Sequence, residues 1–142
     1  MNNLILIGPI KDLIDSKGLS KKYIKDAKFV LVSTDNIDYK MIVHLNQHPY
    51  DRHALAVFEY MEKNSLKEIY SFGGGKIVMG TIDEILFHDR SYAFHVANEQ
   101  KLQEVARSIW PNFSLQICTM KPRLKEPQLL SREQIYEFAT HP

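Results

Sequence analysis

Two short segments carry residue types that suit phosphate chemistry. His53 opens an amphipathic segment, and the run Gly73, Gly74, Gly75 and Lys76 follows later in the chain. Three consecutive glycines cost backbone entropy on folding, and a backbone that must approach an anion closely is one reason for them. Histidine is the side chain best suited to exchange protons near neutral pH. Together the two segments suggest a site that handles phosphate.

Length, composition and charge restrict the class of protein. The 142 residues are 44% hydrophobic and 25% charged, which is typical of one globular domain. The formal net charge of +1 gives no support to nucleic-acid binding by bulk charge. The single cysteine, Cys118, excludes an internal disulfide and fits a reducing compartment. The apolar run Leu4–Ile7 is too short for a signal peptide or a membrane span, so we expect a cytoplasmic protein with no membrane contact.

Short apolar runs predict a fold rich in β-strands. The runs expected to form strands are 4–7, 27–33, 39–45, 68–72, 76–79, 84–88 and 114–119. The second and third runs have a short polar connection, which indicates a hairpin. Gly73–Gly75 indicates a tight turn between two further strands. The polar segment 11–26 predicts a loop or a short helix.

Two segments have the apolar spacing of an amphipathic helix. Ala54–Met61 predicts a first helix, and Pro49 suits its first turn. Leu102–Ile109 predicts a second helix, which begins after an Asn98 N-cap and stops at Pro111. His53 falls on the flank of the first apolar stripe.

The C-terminal segment differs in character from the rest. Residues 120–130 contain two prolines among charges and indicate a linker. Ser131 and Gln134 form a capping box, and Leu130 and Ile135 are placed as a hydrophobic staple, so a short terminal helix follows. We therefore expect an α+β fold: a mixed β-sheet of about six strands with two main helices packed on it, plus a C-terminal helix extension. The expected division is a domain over 1–119 and an extension over 120–142.

The position of His53 favours a neutral imidazole. The positive end of the helix dipole disfavours protonation in the first turn. A neutral imidazole can act as a general base or as a nucleophile. The same helix terminus offers free N–H groups to an anion.

Structural explanations also exist for each of these signals. By itself, a histidine at a helix start is more often without a catalytic role, and a glycine run is more often a tight turn. Ile77 follows the lysine where a P-loop would have a hydroxyl. His44, His48 and His53 lack the spacing of metal ligands and have no cysteine nearby, so we expect no metal and no cofactor.

Several segments in order resemble the Janus or protein histidine phosphatase family, the small phosphohistidine phosphatases. The similarity covers about residues 4–119, and no single motif is specific. The matching segments are a lysine-bearing strand at Lys28–Val32, a helix-start histidine at His53-Ala54, the glycine run Gly73–Ile77, the segment Ser91-Tyr92-Ala93-Phe94, and a helix at 98–110 that leads to Pro111-Asn112-Phe113.

The resemblance implies a mixed sheet with helices packed on it and metal-independent hydrolysis of phosphohistidine in a protein substrate. It implies that His53 is the catalytic base or nucleophile. We expect a monomer that binds no nucleic acid. The residues that the resemblance assigns to the phosphate are Lys28, the backbone N–H groups around Ser91 and Ala93 with the Ser91 hydroxyl, Gly74 and Gly75 as room for the backbone, and Lys76 or Arg90 as added charge.

Departures from the family pattern leave two other readings open. Arg52 and Leu55 flank the histidine where the family often has an aromatic and an acidic residue, and His95 follows Phe94 where a glycine is usual. One alternative is a non-catalytic module that uses the same fold to bind phosphate or a phosphoprotein. The other is an unrelated α+β domain whose motifs match by coincidence.

Overall fold

The computed structural model describes residues 3–80 and 82–141. Within them, a 3₁₀ helix, three α-helices and one seven-stranded sheet form the fold. The strands are β1 (Leu4–Ile7), β2 (Ile24–Ser33), β3 (Lys40–Leu45), β4 (Glu68–Met79), β5 (Glu84–Asp89), β6 (Ser114–Thr119) and β7 (Gln128–Ser131). The helices are the 3₁₀ helix Gly8–Asp12, α1 (His53–Lys63), α2 (Glu99–Ile109) and α3 (Arg132–Thr140).

The sheet is mixed, which confirms the expected α+β fold. Its strand order is β1-β3-β2-β4-β5-β6. The pairs β1/β3 and β5/β6 are parallel, and the others are antiparallel. β2 and β3 form the expected hairpin, although β2 begins at Ile24, inside the segment predicted to be a loop.

Each face of the sheet carries a helix layer. Successive residues of a strand point to opposite faces, so Phe29 and Leu31 pack on one side, with α2 and the fully buried Trp110. Val30 and Val32 pack on the other side, with α1 and α3. Burial of each such large apolar side chain stabilises the fold by about 1.5–3 kcal/mol.

The predicted turn at Gly73–Gly75 is wrong, because these glycines lie inside the continuous strand β4. They are needed where neighbouring backbones come very close. A Cβ on Gly73, whose φ is +97°, would lie 2.5 Å from the Ala97 Cα atom. A Cβ on Gly74 would lie 2.5 Å from the Phe29 carbonyl oxygen. The run therefore lets β4 pack against backbone where any side chain would collide.

The prediction that Pro49 lies in the first turn of a helix is also wrong. α1 begins at His53, and Pro49 belongs to the preceding loop. Side chains of the sheet bind the carbonyl groups of Tyr50 and Asp51, so these carbonyls are not the acceptors of a helical turn. Arg52 is the N-cap, has extended backbone and makes no side-chain cap hydrogen bond. The first N–H groups of α1 thus lack intrahelical partners.

The C-terminal segment joins the same sheet and core. Gln128–Ser131 is a strand rather than linker, because β7 pairs with the first residues of β4 while β5 pairs with the last. The predicted capping box is confirmed: the Ser131 hydroxyl accepts from the Gln134 N–H group at 3.1 Å. α3 then packs against α1.

The predicted N-cap of α2 is confirmed, since Asn98 Oδ1 accepts from the Lys101 N–H group at 2.9 Å. None of the helices found within 3–80 and 82–141 is long and apolar enough to cross a bilayer.

Candidate functional site

The register of three strands brings basic side chains together beneath α1. Lys28 on β2 is the direct partner of His44 on β3 and of Lys76 on β4. Direct cross-strand partners have Cβ atoms about 4.5–5.5 Å apart. Lys28 and Val30 are two residues apart on β2, so their side chains point to the same face of the sheet, and Val30 packs on the α1 face. This row therefore lies on the face that α1 covers.

His53 is held in one tautomer by β4. Its Nε2 atom lies 2.8 Å from the carbonyl oxygen of Gly75. A carbonyl oxygen can only accept, so Nε2 carries the proton and donates it. The ring is only 7% exposed, and burial, with Lys28 and Lys76 adding positive charge nearby, lowers its pKa to about 3. The imidazole is consequently neutral, and Nδ1 holds a lone pair.

The Nδ1 atom of His53 has no hydrogen-bond partner within the described residues. It is not one of the fully enclosed nitrogens without a partner, although the ring as a whole is only 7% exposed. Nδ1 is therefore the ring nitrogen that remains for a ligand.

Gly74 separates His53 from the segment that contains Ser91. A Cβ built on Gly74 would lie 3.4 Å from His53 Cδ2 and also 3.4 Å from Ser91 Cβ. The two side chains therefore flank the Gly74 Cα atom. The missing side chain therefore lets His53 and Ser91 come close to each other across β4, so that both can contribute to one site.

Residues 91–95 form a loop that is hydrogen-bonded to β4. The His95 carbonyl accepts from the Gly74 N–H group at 3.0 Å. The Ser91 hydroxyl accepts from the Phe94 N–H group at 3.0 Å, which leaves the hydroxyl proton for another acceptor. No backbone carbonyl of the described residues accepts from the N–H groups of Tyr92 or Ala93. The N–H groups of Tyr92 and Ala93 are thus donors of the kind that bind phosphate oxygens, whereas Ser91 is fully buried.

Lys28 lies against the backbone that leads into α1. Its Nζ donates to the Asp51 carbonyl oxygen at 2.5 Å. Burial, followed by the charge of Lys76, lowers the pKa of Lys28. Because an ammonium group has three donors, two remain for an anion at the start of α1.

The two other basic residues predicted for the site each have a partner of their own. Lys76 Nζ pairs with Asp89 at 3.2 Å, and its side chain is 39% exposed. The Arg90 guanidinium lies 5.0 Å above the centre of the Tyr92 ring. Exposed ion pairs contribute little to stability, so the Lys76–Asp89 pair acts mainly on the charge around the site.

One buried residue at the site was not predicted from the sequence. The ring centre of His44 lies 5.8 Å from that of His53, and the rings are almost perpendicular. The available signal was the alternation along the predicted hairpin, which places His44 and Lys28 on one face. His48 is exposed on the following loop, and no cluster of three potential metal ligands occurs within 3–80 and 82–141.

The arrangement has the parts of an anion site with a neutral histidine at its centre. The start of α1, the Lys28 ammonium and the 91–95 loop supply donors, and His53 supplies a lone pair. In comparisons with known proteins, no family model matches the chain and no curated protein matches it.

Proposed function

We propose that this protein is a cytoplasmic, metal-independent hydrolase that cleaves the P–N bond of phosphohistidine in a protein substrate. The observation that carries the proposal is the tautomer of His53. Its Nε2–H group donates to Gly75, and Nδ1 is left with a lone pair beside a helix N-terminus. The ordered resemblance to the phosphohistidine phosphatases supports the same activity.

Binding of the phosphoryl group follows from the donors around His53. Helix N-termini and runs of backbone N–H groups bind phosphate oxygens. Lys28 adds a positive charge that is only half-exposed, and charge-assisted hydrogen bonds are stronger than neutral ones. Donors fixed before the substrate binds stabilise negative charge without reorganisation.

The chemistry requires a neutral nitrogen and a labile leaving group. Nδ1 of His53 attacks phosphorus, a new N–P bond forms, and the P–N bond to the substrate imidazole breaks. The electron pair of that bond goes to the substrate imidazole, which takes up a proton from water. Water then hydrolyses the phosphorylated His53 and releases phosphate.

The low pKa of His53 leaves the lone pair of Nδ1 free for attack on phosphorus. A pKa of about 3 keeps the ring unprotonated at neutral pH. The same low pKa makes the ring a weak base toward water, since proton transfer is most effective when the pKa lies near the working pH. Direct attack needs only the lone pair.

The test is phosphate release from a phosphohistidine peptide by the wild type and His53→Ala. Loss of the attacking nitrogen should lower the rate by about 10²-fold or more, because acid–base or nucleophilic groups contribute on this scale. His48→Ala, which alters an exposed histidine on the preceding loop, is the matched control and should retain full activity. Equal rates for the wild type and His53→Ala would contradict the proposal.

A second candidate function is a non-catalytic module that binds phosphate or a phosphoprotein. The 7% exposure of His53 favours it, since a reacting group must be reached by the substrate. Binding of the phosphohistidine peptide without release of phosphate would support the module and contradict the hydrolase.

A further inference from the structure

His44 is a fully buried histidine that the proposed reaction does not use. Its Nδ1 atom lies 2.9 Å from the Tyr50 carbonyl oxygen and 3.1 Å from the Leu45 carbonyl oxygen. Both partners can only accept, so Nδ1 carries the proton. Nε2 is enclosed and has no partner within the described residues.

Packing alone does not account for a histidine at this position. An enclosed acceptor without a partner costs free energy, whereas an apolar side chain would fill the same space without that cost. The hydrogen bond from Nδ1 is therefore the contribution that an apolar residue could not make. It reaches Tyr50, which belongs to the loop before α1.

His44 and Lys28 bind consecutive carbonyl groups of this loop. His44 Nδ1 donates to Tyr50, and Lys28 Nζ donates to Asp51 at 2.5 Å. The two side chains are direct partners on neighbouring strands. Since Arg52 and His53 follow at once, the sheet sets the path of the backbone that carries His53.

The ring of His44 also lies beside the ring of His53. Their centres are 5.8 Å apart with an angle of 87° between the planes. Displacement of His44 would thus act on His53 twice, through the preceding backbone and through the neighbouring ring.

We propose that His44 is a positioning residue for His53, because its Nδ1–H group holds the Tyr50 carbonyl and thereby places Nδ1 of His53 against the phosphoryl group. This inference rests on the proposed function for its catalytic part. The placement of His53 itself can be observed without turnover.

Two near-isosteric substitutions separate the two nitrogens of His44. The amide nitrogen of His44→Asn takes the place of Nδ1 and can still donate to Tyr50. The amide of His44→Gln extends to the place of Nε2 and leaves Tyr50 without its donor. We expect His44→Asn to keep kcat within about threefold of the wild type. His44→Gln should lower kcat by about 10- to 100-fold, the scale of a misplacement near 1 Å, with a smaller change in KM.

The outcomes distinguish positioning from a structural role. Equal losses in the two variants, or better activity in His44→Gln than in His44→Asn, would overturn the inference. Thermal unfolding of both variants checks that they are folded. If His44→Gln does not fold, His44→Met replaces it with the same expectation.

A second measurement separates this inference from the proposed function. Nitrogen NMR of the His53 ring should show the Nε2–H tautomer in the wild type and in His44→Asn, and its partial loss in His44→Gln. Inorganic phosphate should shift His53 Nδ1 in the first two proteins and less in the third. These changes without turnover by the wild type would contradict the hydrolase alone. Identical spectra for all three proteins would contradict the role of His44.

Discussion

At the scale of single residues, the chemistry of His53 depends on which of its ring nitrogens is hydrogen-bonded to the protein and which is left for a ligand. Gly75 accepts from Nε2 and so leaves Nδ1 for the ligand. A histidine at a helix start could be predicted from the sequence, because the apolar stripe marks the helix locally. The tautomer and the contact with His44 could not, because both depend on how α1 packs against β4 and β3.

Gly74→Ala should both destabilise the fold and disturb the site. The new Cβ would lie 2.5 Å from the Phe29 carbonyl and 3.4 Å from His53 Cδ2. Overpacking of this kind typically costs about 1–3 kcal/mol, and the added methyl group would push His53 and Ser91 out of place. Urea unfolding and phosphate titration measure the two effects.

Gly80→Ala is the matched control for this substitution. A Cβ on Gly80 has its nearest contact at 3.4 Å, with the Ile82 carbonyl. We expect its phosphate affinity to equal that of the wild type. Unchanged affinity in a folded Gly74→Ala protein would show that phosphate binding does not depend on how His53 and Ser91 are placed around Gly74.

At the scale of elements, β4 joins most parts of the site. It pairs with β2, β5 and β7, and its glycines approach the 91–95 loop. The sequence predicted two strands here because a glycine run usually marks a turn. It also predicted a linker for β7, because pairing with β4 is set by tertiary contacts rather than by local composition.

Phe138→Ala should weaken phosphate binding through a contact between elements. Phe138 on α3 lies 6.2 Å, ring to ring, from Phe94, whose N–H group donates to Ser91. Removing the ring leaves Phe94 less well packed, so the 91–95 loop loses order. We expect a loss of about 1–3 kcal/mol in the free energy of unfolding and weaker affinity in a phosphate titration.

Tyr136→Ala is the control on the same helix. Tyr136 packs on Phe58 of α1 at 5.4 Å, away from the 91–95 loop. It should lower stability while leaving the phosphate affinity unchanged. If the two variants lose affinity equally, α3 acts on the whole fold and not on the loop.

At the scale of the whole molecule, folding buries two neutral histidines between α1 and the sheet. Burial is the main cause that lowers the pKa of His53 to about 3 and that of His44 to about 4. The nearby lysines Lys28 and Lys76 act in the same direction on His53. In the unfolded chain both rings return to the ordinary histidine pKa near 6.5.

Stability should therefore fall as the pH drops below about 6.5. The unfolded state then binds protons that the folded state does not, so the free energy of unfolding rises with pH in this range. By this linkage, each buried histidine should lower the free energy of unfolding by about 2 kcal/mol when the pH drops from 7 to 5. Urea unfolding at pH 7, 6 and 5 measures the slope. His53→Ala should be less pH-dependent than the wild type, and an identical slope would contradict a neutral buried His53.

The most direct test of the proposed hydrolase is phosphate release from a phosphohistidine peptide, compared between the wild type, His53→Ala and His48→Ala. We expect turnover by the wild type and His48→Ala, and a loss of about 10²-fold or more in His53→Ala. Turnover by His53→Ala at the wild-type rate, or no release by the wild type above the uncatalysed rate, would contradict the proposal.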